Sequence, residues 1–144
     1  MKKYILLSFT FVFLMFSELQ AQQGEGSIMV AGGGDIFRTD LPGVFQRYQA
    51  GFEGHYFVRY FLSLSAGYEI NSDFSNQVSL GSRVYFGDPI FVRIRGLLGS
   101  QSDLALGAGY SHNLGYRFRL EGIVDYYAVT QTAGIRAGIS ILLN

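Results

Sequence analysis

From residue 102 to residue 128 apolar and polar side chains change places at nearly every step. Leu104, Leu106, Ala108 and Tyr110 alternate with Asp103, Ala105, Gly107, Gly109 and Ser111. After an Asn113-Leu114-Gly115 turn signal, Tyr116, Phe118, Leu120, Gly122, Val124 and Tyr126 alternate with Arg117, Arg119, Glu121, Ile123 and Asp125. A β-strand sends successive side chains to opposite faces, so each run carries one apolar and one polar face. A helix would scatter Arg117, Arg119, Glu121 and Asp125 around its circumference. The stretch is confined to two half-apolar strands joined by a tight turn.

The same parity runs through most of the chain. Tyr48, Ala50, Phe52 and Tyr56 alternate with Arg47, Gln49, Gly51, Glu53 and His55. Leu62, Leu64, Ala66, Tyr68 and Ile70 alternate with Ser63, Ser65, Gly67 and Glu69. Val78, Leu80, Val84 and Phe86 oppose Gln77, Ser79, Gly81 and Arg83, and Val92 and Ile94 oppose Arg93 and Arg95. Ile135, Ala137, Ile139 and Ile141 oppose Arg136, Gly138 and Ser140. The pattern is weakest from Ser27 to Phe37, around Gly32-Gly33-Gly34. Eight strands are expected, over 26–37, 44–57, 60–71, 76–87, 90–99, 103–113, 116–128 and 132–143. Short connections join them, with Pro42, the polar 71–76 segment and Gly87-Asp88-Pro89 as turn signals. The turn between the second and third strands is placed at Val58-Arg59 by length alone.

The first 21 residues follow different rules. Lys2 and Lys3 precede a run of 13 residues, Tyr4 to Phe16, apolar except for Ser8 and Thr10, and Ser17 to Ala21 follow. This is the layout of a secretory signal peptide, expected to be cleaved after Ala21. The run is too short for a transmembrane helix, which needs about 20 apolar residues. The expected domains are a signal peptide, 1–21, and one β-domain, 22–144. Without the leader the chain keeps nine Arg and ten acids but no Lys. A near-zero net charge argues against nucleic acid as a partner. The absence of Cys excludes disulfides, Cys-based zinc sites and thiol catalysis.

Period-two alternation fits a soluble barrel and a membrane barrel alike, so the character of each face decides. A solvated sheet face is usually rich in Lys and Glu. Here the polar face holds Arg, Gly, Ser and Gln with a few acids. Arg pairs carboxylates bidentately in enclosed sites, and small residues leave room for it. Arg47, Arg83, Arg93, Arg95, Arg117, Arg119 and Arg136, with Glu53, Glu69, Glu121 and Asp125, are therefore expected to fill a barrel lumen as an ion-pair network. Aromatics gather at strand ends, with Phe52 the mid-strand exception, as in the girdles of an outer-membrane barrel. Strand lengths match the ~9–11 residues a tilted transmembrane strand requires.

On these residues the chain resembles the small eight-stranded outer-membrane barrels of the OmpA transmembrane-domain and OmpX type, including the short barrels of Bacteroidota envelopes. The resemblance rests on the leader, the eight alternating strands and the polar lumen. It implies an all-β, eight-stranded antiparallel up-and-down transmembrane β-barrel in a bacterial outer membrane. Members of the group commonly end in an aromatic residue, whereas this sequence ends Ile141-Leu142-Leu143-Asn144.

Little else points to chemistry. His55 and His112 are the two histidines, both at the tight-turn end. Ser111 and His112 point to opposite faces, which argues against a lipid-modifying triad. Gly32-Gly33-Gly34 lacks the Lys and helix of a phosphate loop. Asp73, Asp88 and Asp103 lie in separate connections, so neither a metal nor a cofactor is expected. The expected role is non-catalytic: an envelope scaffold or accessory subunit with outer-membrane lipid around it, an envelope protein as candidate partner, and a monomeric barrel. Two alternatives remain open. One is a soluble secreted or periplasmic barrel binding an apolar ligand, with the apolar parity turned inward. The other is a lipid-modifying outer-membrane enzyme.

Overall fold

The computed structural model describes residues 23–40, 49–72, 75–87 and 89–143. The leader, Arg47 and the start of the second expected strand lie outside them. Eight strands follow one another: β1 (Ile28–Arg38), β2 (Gln49–Arg59), β3 (Leu62–Asn71), β4 (Gln77–Tyr85), β5 (Ile90–Leu98), β6 (Asp103–Asn113), β7 (Phe118–Tyr127) and β8 (Thr132–Leu143). Each pairs antiparallel with its neighbour, and β1 pairs with β8 from Ile28↔Leu143 to Arg38↔Gly134, so the sheet closes into a barrel. Closure leaves no strand edge with unpaired backbone groups.

The register fixes the shape. Pairing runs from Ile28 through Tyr56, Leu64, Ser82, Ile94, Leu106, Tyr126 and Ala133. It returns to β1 at Thr39, whose N–H donates to the Ala133 carbonyl at 2.9 Å. One bulge, at Ile36, falls within that span, between the pairs Asp35↔Arg136 and Phe37↔Ile135. Discounting it, a circuit of the barrel climbs about ten residues, which for eight strands means a tilt of roughly 40° and an interior just wide enough for side chains.

The parity read from the sequence separates outside from inside. Leu64, Leu80, Ile94, Leu106, Val124 and Ile139 point outward and are each about half exposed, whereas Ala105, Ser79, Arg95, Asp125 and Ser140 point to the axis and are buried. The expected strands agree with the observed ones except at their ends. The β2–β3 turn lies at Tyr60-Phe61 instead of Val58-Arg59, because the ladder shifts between Phe57 and Arg59 and carries β2 two residues further. β7 begins at Phe118, leaving Tyr116 and Arg117 in the turn. In the β4–β5 turn Gly87 takes φ +89°, a left-handed conformation that glycine adopts without a Cβ clash.

Candidate functional site

The lumen holds the chemistry of this chain. Each strand with an inward charge contributes it at an alternate position, so residues distant in sequence converge on the axis. Among the described residues six buried arginines (Arg38, Arg83, Arg93, Arg95, Arg119, Arg136) face five buried carboxylates (Asp35, Glu53, Glu69, Glu121, Asp125). Glu69 is the hub. It accepts two parallel hydrogen bonds from Arg136 at 2.7 and 2.6 Å, one from Arg95 at 2.6 Å and one from Gln49 at 3.2 Å. Arg95 also donates to Glu53 at 2.6 Å and reaches Asp125 at 3.5 Å. Asp125 receives both the Nε and Nη2 of Arg93. Glu121 accepts both a forked contact from Arg83 Nη1, at 3.1 and 2.9 Å, and the Ser140 hydroxyl at 2.8 Å. Toward the longer connections, Arg136 donates to Asp35 at 2.7 Å, Tyr127 donates to the same carboxylate at 3.2 Å, and Arg38 donates to Gln49 and Thr132.

Glycine makes this density of charge fit. Gly51 lies directly across from Glu69, Gly67 from Glu53, Gly81 from Arg95 and Gly107 from Asp125. A Cβ on Gly51 would sit 2.6 Å from the Glu69 carboxyl carbon, and one on Gly67 would sit 2.7 Å from Glu53 Cγ. On Gly107 it would meet Asp125 Oδ1. Each of these four glycines is thus the floor under a charged neighbour, and the barrel gives to guanidinium and carboxylate groups the width it saves on methyls. At mid-height a gap of about 20 Å³ remains between Glu53, Arg83, Arg93, Glu121 and Arg136. That is room for roughly one water molecule.

The two ends of the lumen differ. At the tight-turn end Met29, Phe57, Tyr85, Phe91, Ile123 and Leu142 form a buried apolar plug. Its rings pack in a chain, with Phe57–Tyr85 centroids 5.7 Å apart and Tyr85–Phe91 5.4 Å apart, and Arg83 lies 4.8 Å over Phe91. At the other end a polar cup opens between Arg38, Gln49, Asn71, Gln77, Asp103 and Thr130. Its floor is Tyr127, with the Arg38 guanidinium 4.3 Å over the ring.

The structure brings together Glu53, Glu69, Arg83, Arg93, Arg95, Glu121, Asp125 and Arg136 as one contiguous network, with Arg119 buried at its tight-turn end. Arg47 lies outside the described residues. Arg117 corrects the sequence expectation: it is exposed in the β6–β7 turn, with its carbonyl accepting from Leu142 N–H at 2.8 Å. Its parity matched the strand, but the strand begins one residue later.

Asp35, Arg38 and Tyr127 belong to the network and were not anticipated. Asp35 shares the inward parity of Met29 and Ala31, a usable signal. Arg38 does not, because the bulge at Ile36 reverses the parity after it. His55 is buried, 3.3 Å from Glu53, whereas His112 points outward from β6. Among the described residues no group of three or more His, Cys, Asp or Glu could hold a metal ion.

A closed eight-stranded antiparallel barrel, aliphatic outside and ion-paired inside, defines a class by its architecture. Solved structures carry the same fold. A structure titled "De novo design of transmembrane beta-barrels" aligns with a TM-score of 0.68 at 18% identity, covering 85% of this chain and 99% of that one. The solution NMR structure of the de novo designed TMB2.3 aligns with a TM-score of 0.67 at 18% identity, covering 85% of this chain and 98% of that one. No protein-family model and no curated protein matches the chain.

Proposed function

We propose that the protein is an integral outer-membrane barrel of the OmpA transmembrane-domain or OmpX type, exported by its leader, with a non-catalytic scaffold or accessory role. The observation that carries this reading is the segregation of the two parities. Outside the end plug and Leu97 the large aliphatic side chains face out, and every charged residue within the described strands, except Arg59 at the end of β2, is turned to the axis or its flank. In water such a continuous apolar belt would far exceed the few hundred Å² that a monomeric soluble surface ordinarily exposes. In hydrocarbon it is the favoured surface, and an Arg placed there at mid-bilayer would cost ~2–4 kcal/mol.

The soluble ligand-binding alternative needs the aliphatic set to line the interior, and that set points outward. The ion pairs across the middle of the lumen and the apolar plug at the tight-turn end support a lumen closed to solutes. Enzymatic work on lipid is disfavoured, since His55 and His112 lie on opposite faces of the sheet. The tight-turn end, next to the leader-proximal start of β1, is assigned to the periplasm.

The test is fractionation. The expressed protein should stay with the outer-membrane pellet through alkaline carbonate washing, and recovery in the aqueous fraction would overturn the assignment. For the closed lumen, planar bilayers holding the protein should show no steady conductance. For the non-catalytic reading, changing His55 and His112 to Ala should leave the lipid composition of the membrane unaltered.

A further inference from the structure

Exposed aromatic residues and Arg117 share the tight-turn end of the barrel. Tyr60, Phe86 and Tyr116 are 68%, 69% and 88% exposed, on the three hairpin turns that face the same way. Turn tips in water are usually polar throughout; each of these carries an exposed aromatic ring. The β6–β7 hairpin adds two exposed basic groups, His112 near the end of β6 and Arg117 just before β7. Phe118, the first residue of β7, is itself half exposed beside Arg117.

Arg117 differs from the other described arginines. Those in the lumen are paired, Arg119 also has a partner, and Arg59, on the same rim, is tied to Glu25 at 2.8 Å. The Arg117 side chain has no partner among the described residues. A guanidinium at this height cannot turn into hydrocarbon, but near the interface its cost on the outer face falls to about 0–1 kcal/mol. There it meets phosphate, which matches its planar donor fork, while aromatic neighbours occupy the same headgroup level.

We propose that the β6–β7 rim is a headgroup site for anionic phospholipid, with Arg117 holding the phosphate and Tyr116 and Phe118 seated in the interface around it. His112 stands on the same outward face, where it offers a further donor. The site fixes how deep the tight-turn end sits in the leaflet. This rests on the membrane reading above.

The experiment uses the protein refolded into vesicles of phosphatidylcholine, with and without phosphatidylglycerol, and released into mild detergent for native mass spectrometry. The wild type should retain phosphatidylglycerol in preference to phosphatidylcholine. Arg117→Gln should lower that retention about fivefold, equivalent to roughly 1 kcal/mol for one basic residue at the surface. The double variant Arg59→Gln/Glu25→Gln, which removes an exposed cation together with its own anion and so keeps the net charge, should leave it unchanged. The site is refuted if Arg117→Gln retains as much as the wild type, if Arg59→Gln/Glu25→Gln lowers it equally, or if the wild type shows no preference. Circular dichroism of each vesicle sample separates the two levels of the argument. A strand spectrum without lipid preference sinks the headgroup site alone, and absence of insertion in both vesicles sinks the membrane reading with it.

Discussion

Replacing Glu69 with Gln tests the lumen network at its hub. Glu69 is fully buried and accepts four hydrogen bonds, three of them from guanidinium groups. Gln keeps the shape and one acceptor oxygen. Its amide NH₂ then confronts the Arg136 Nη donor, or that of Arg95, across less than 3 Å of space now holding two donors. Removing one partner of a buried ion pair costs ~3–5 kcal/mol, mainly because a charge is left without compensation. Here the lower end applies, since Arg95 keeps Glu53 at 2.6 Å and Arg136 keeps Asp35 at 2.7 Å. We therefore expect a loss of about 3 kcal/mol. The assay is equilibrium urea unfolding from phospholipid vesicles, followed by far-ultraviolet circular dichroism. Glu25→Gln is the control, because its pair with Arg59 is exposed and should contribute nothing measurable. A loss for Glu69→Gln no greater than that for Glu25→Gln would refute the claim that the lumen is held by this network.

Three further outcomes follow from the same geometry. Leu106→Arg, on the outer face, should block membrane assembly, while Ala105→Ser, one residue away on the inner face, should not; pulse-chase recovery of folded, heat-modifiable protein compares them, and equal tolerance would overturn the face assignment. Gly107→Ala should destabilise the barrel by about 1–3 kcal/mol by pressing a methyl onto Asp125, whereas Gly122→Ala, with open space around its Cβ, should be near neutral in the same urea titration. Phe91→Ala should cost about 3–5 kcal/mol by emptying the centre of the plug, read as an earlier unfolding midpoint.

The fold was legible because a barrel wall is the simplest pattern a chain can carry: two faces, two solvents, period two. The sequence also exposed the glycine floor in outline, since small residues share the arginine parity. What it hid were the local breaks in that period. One extra residue at Ile36 reverses the phase of β1, so Arg38 presents itself on the aliphatic parity although it is buried. At the β6–β7 turn the alternation of Tyr116, Arg117 and Phe118 runs on past the last pair of the β6–β7 ladder, Asn113 with Arg119, so a rim residue passes for a lumen residue. Pairings such as Arg136 with Glu69, 67 positions apart, depend on shear and tilt, and no spacing along the chain encodes them.

The central claim is that the aliphatic parity faces hydrocarbon. Because the chain has no native Cys, single cysteines can be placed one at a time from Leu104 to Tyr110 and spin-labelled in phospholipid vesicles. Collision with lipid-soluble oxygen should rise at 104, 106, 108 and 110 and fall at 105, 107 and 109, with a water-soluble nickel reagent excluded from the outward set near the bilayer centre. Flat oxygen accessibility along β6, or nickel reaching Leu106 as readily as a loop residue, would contradict it.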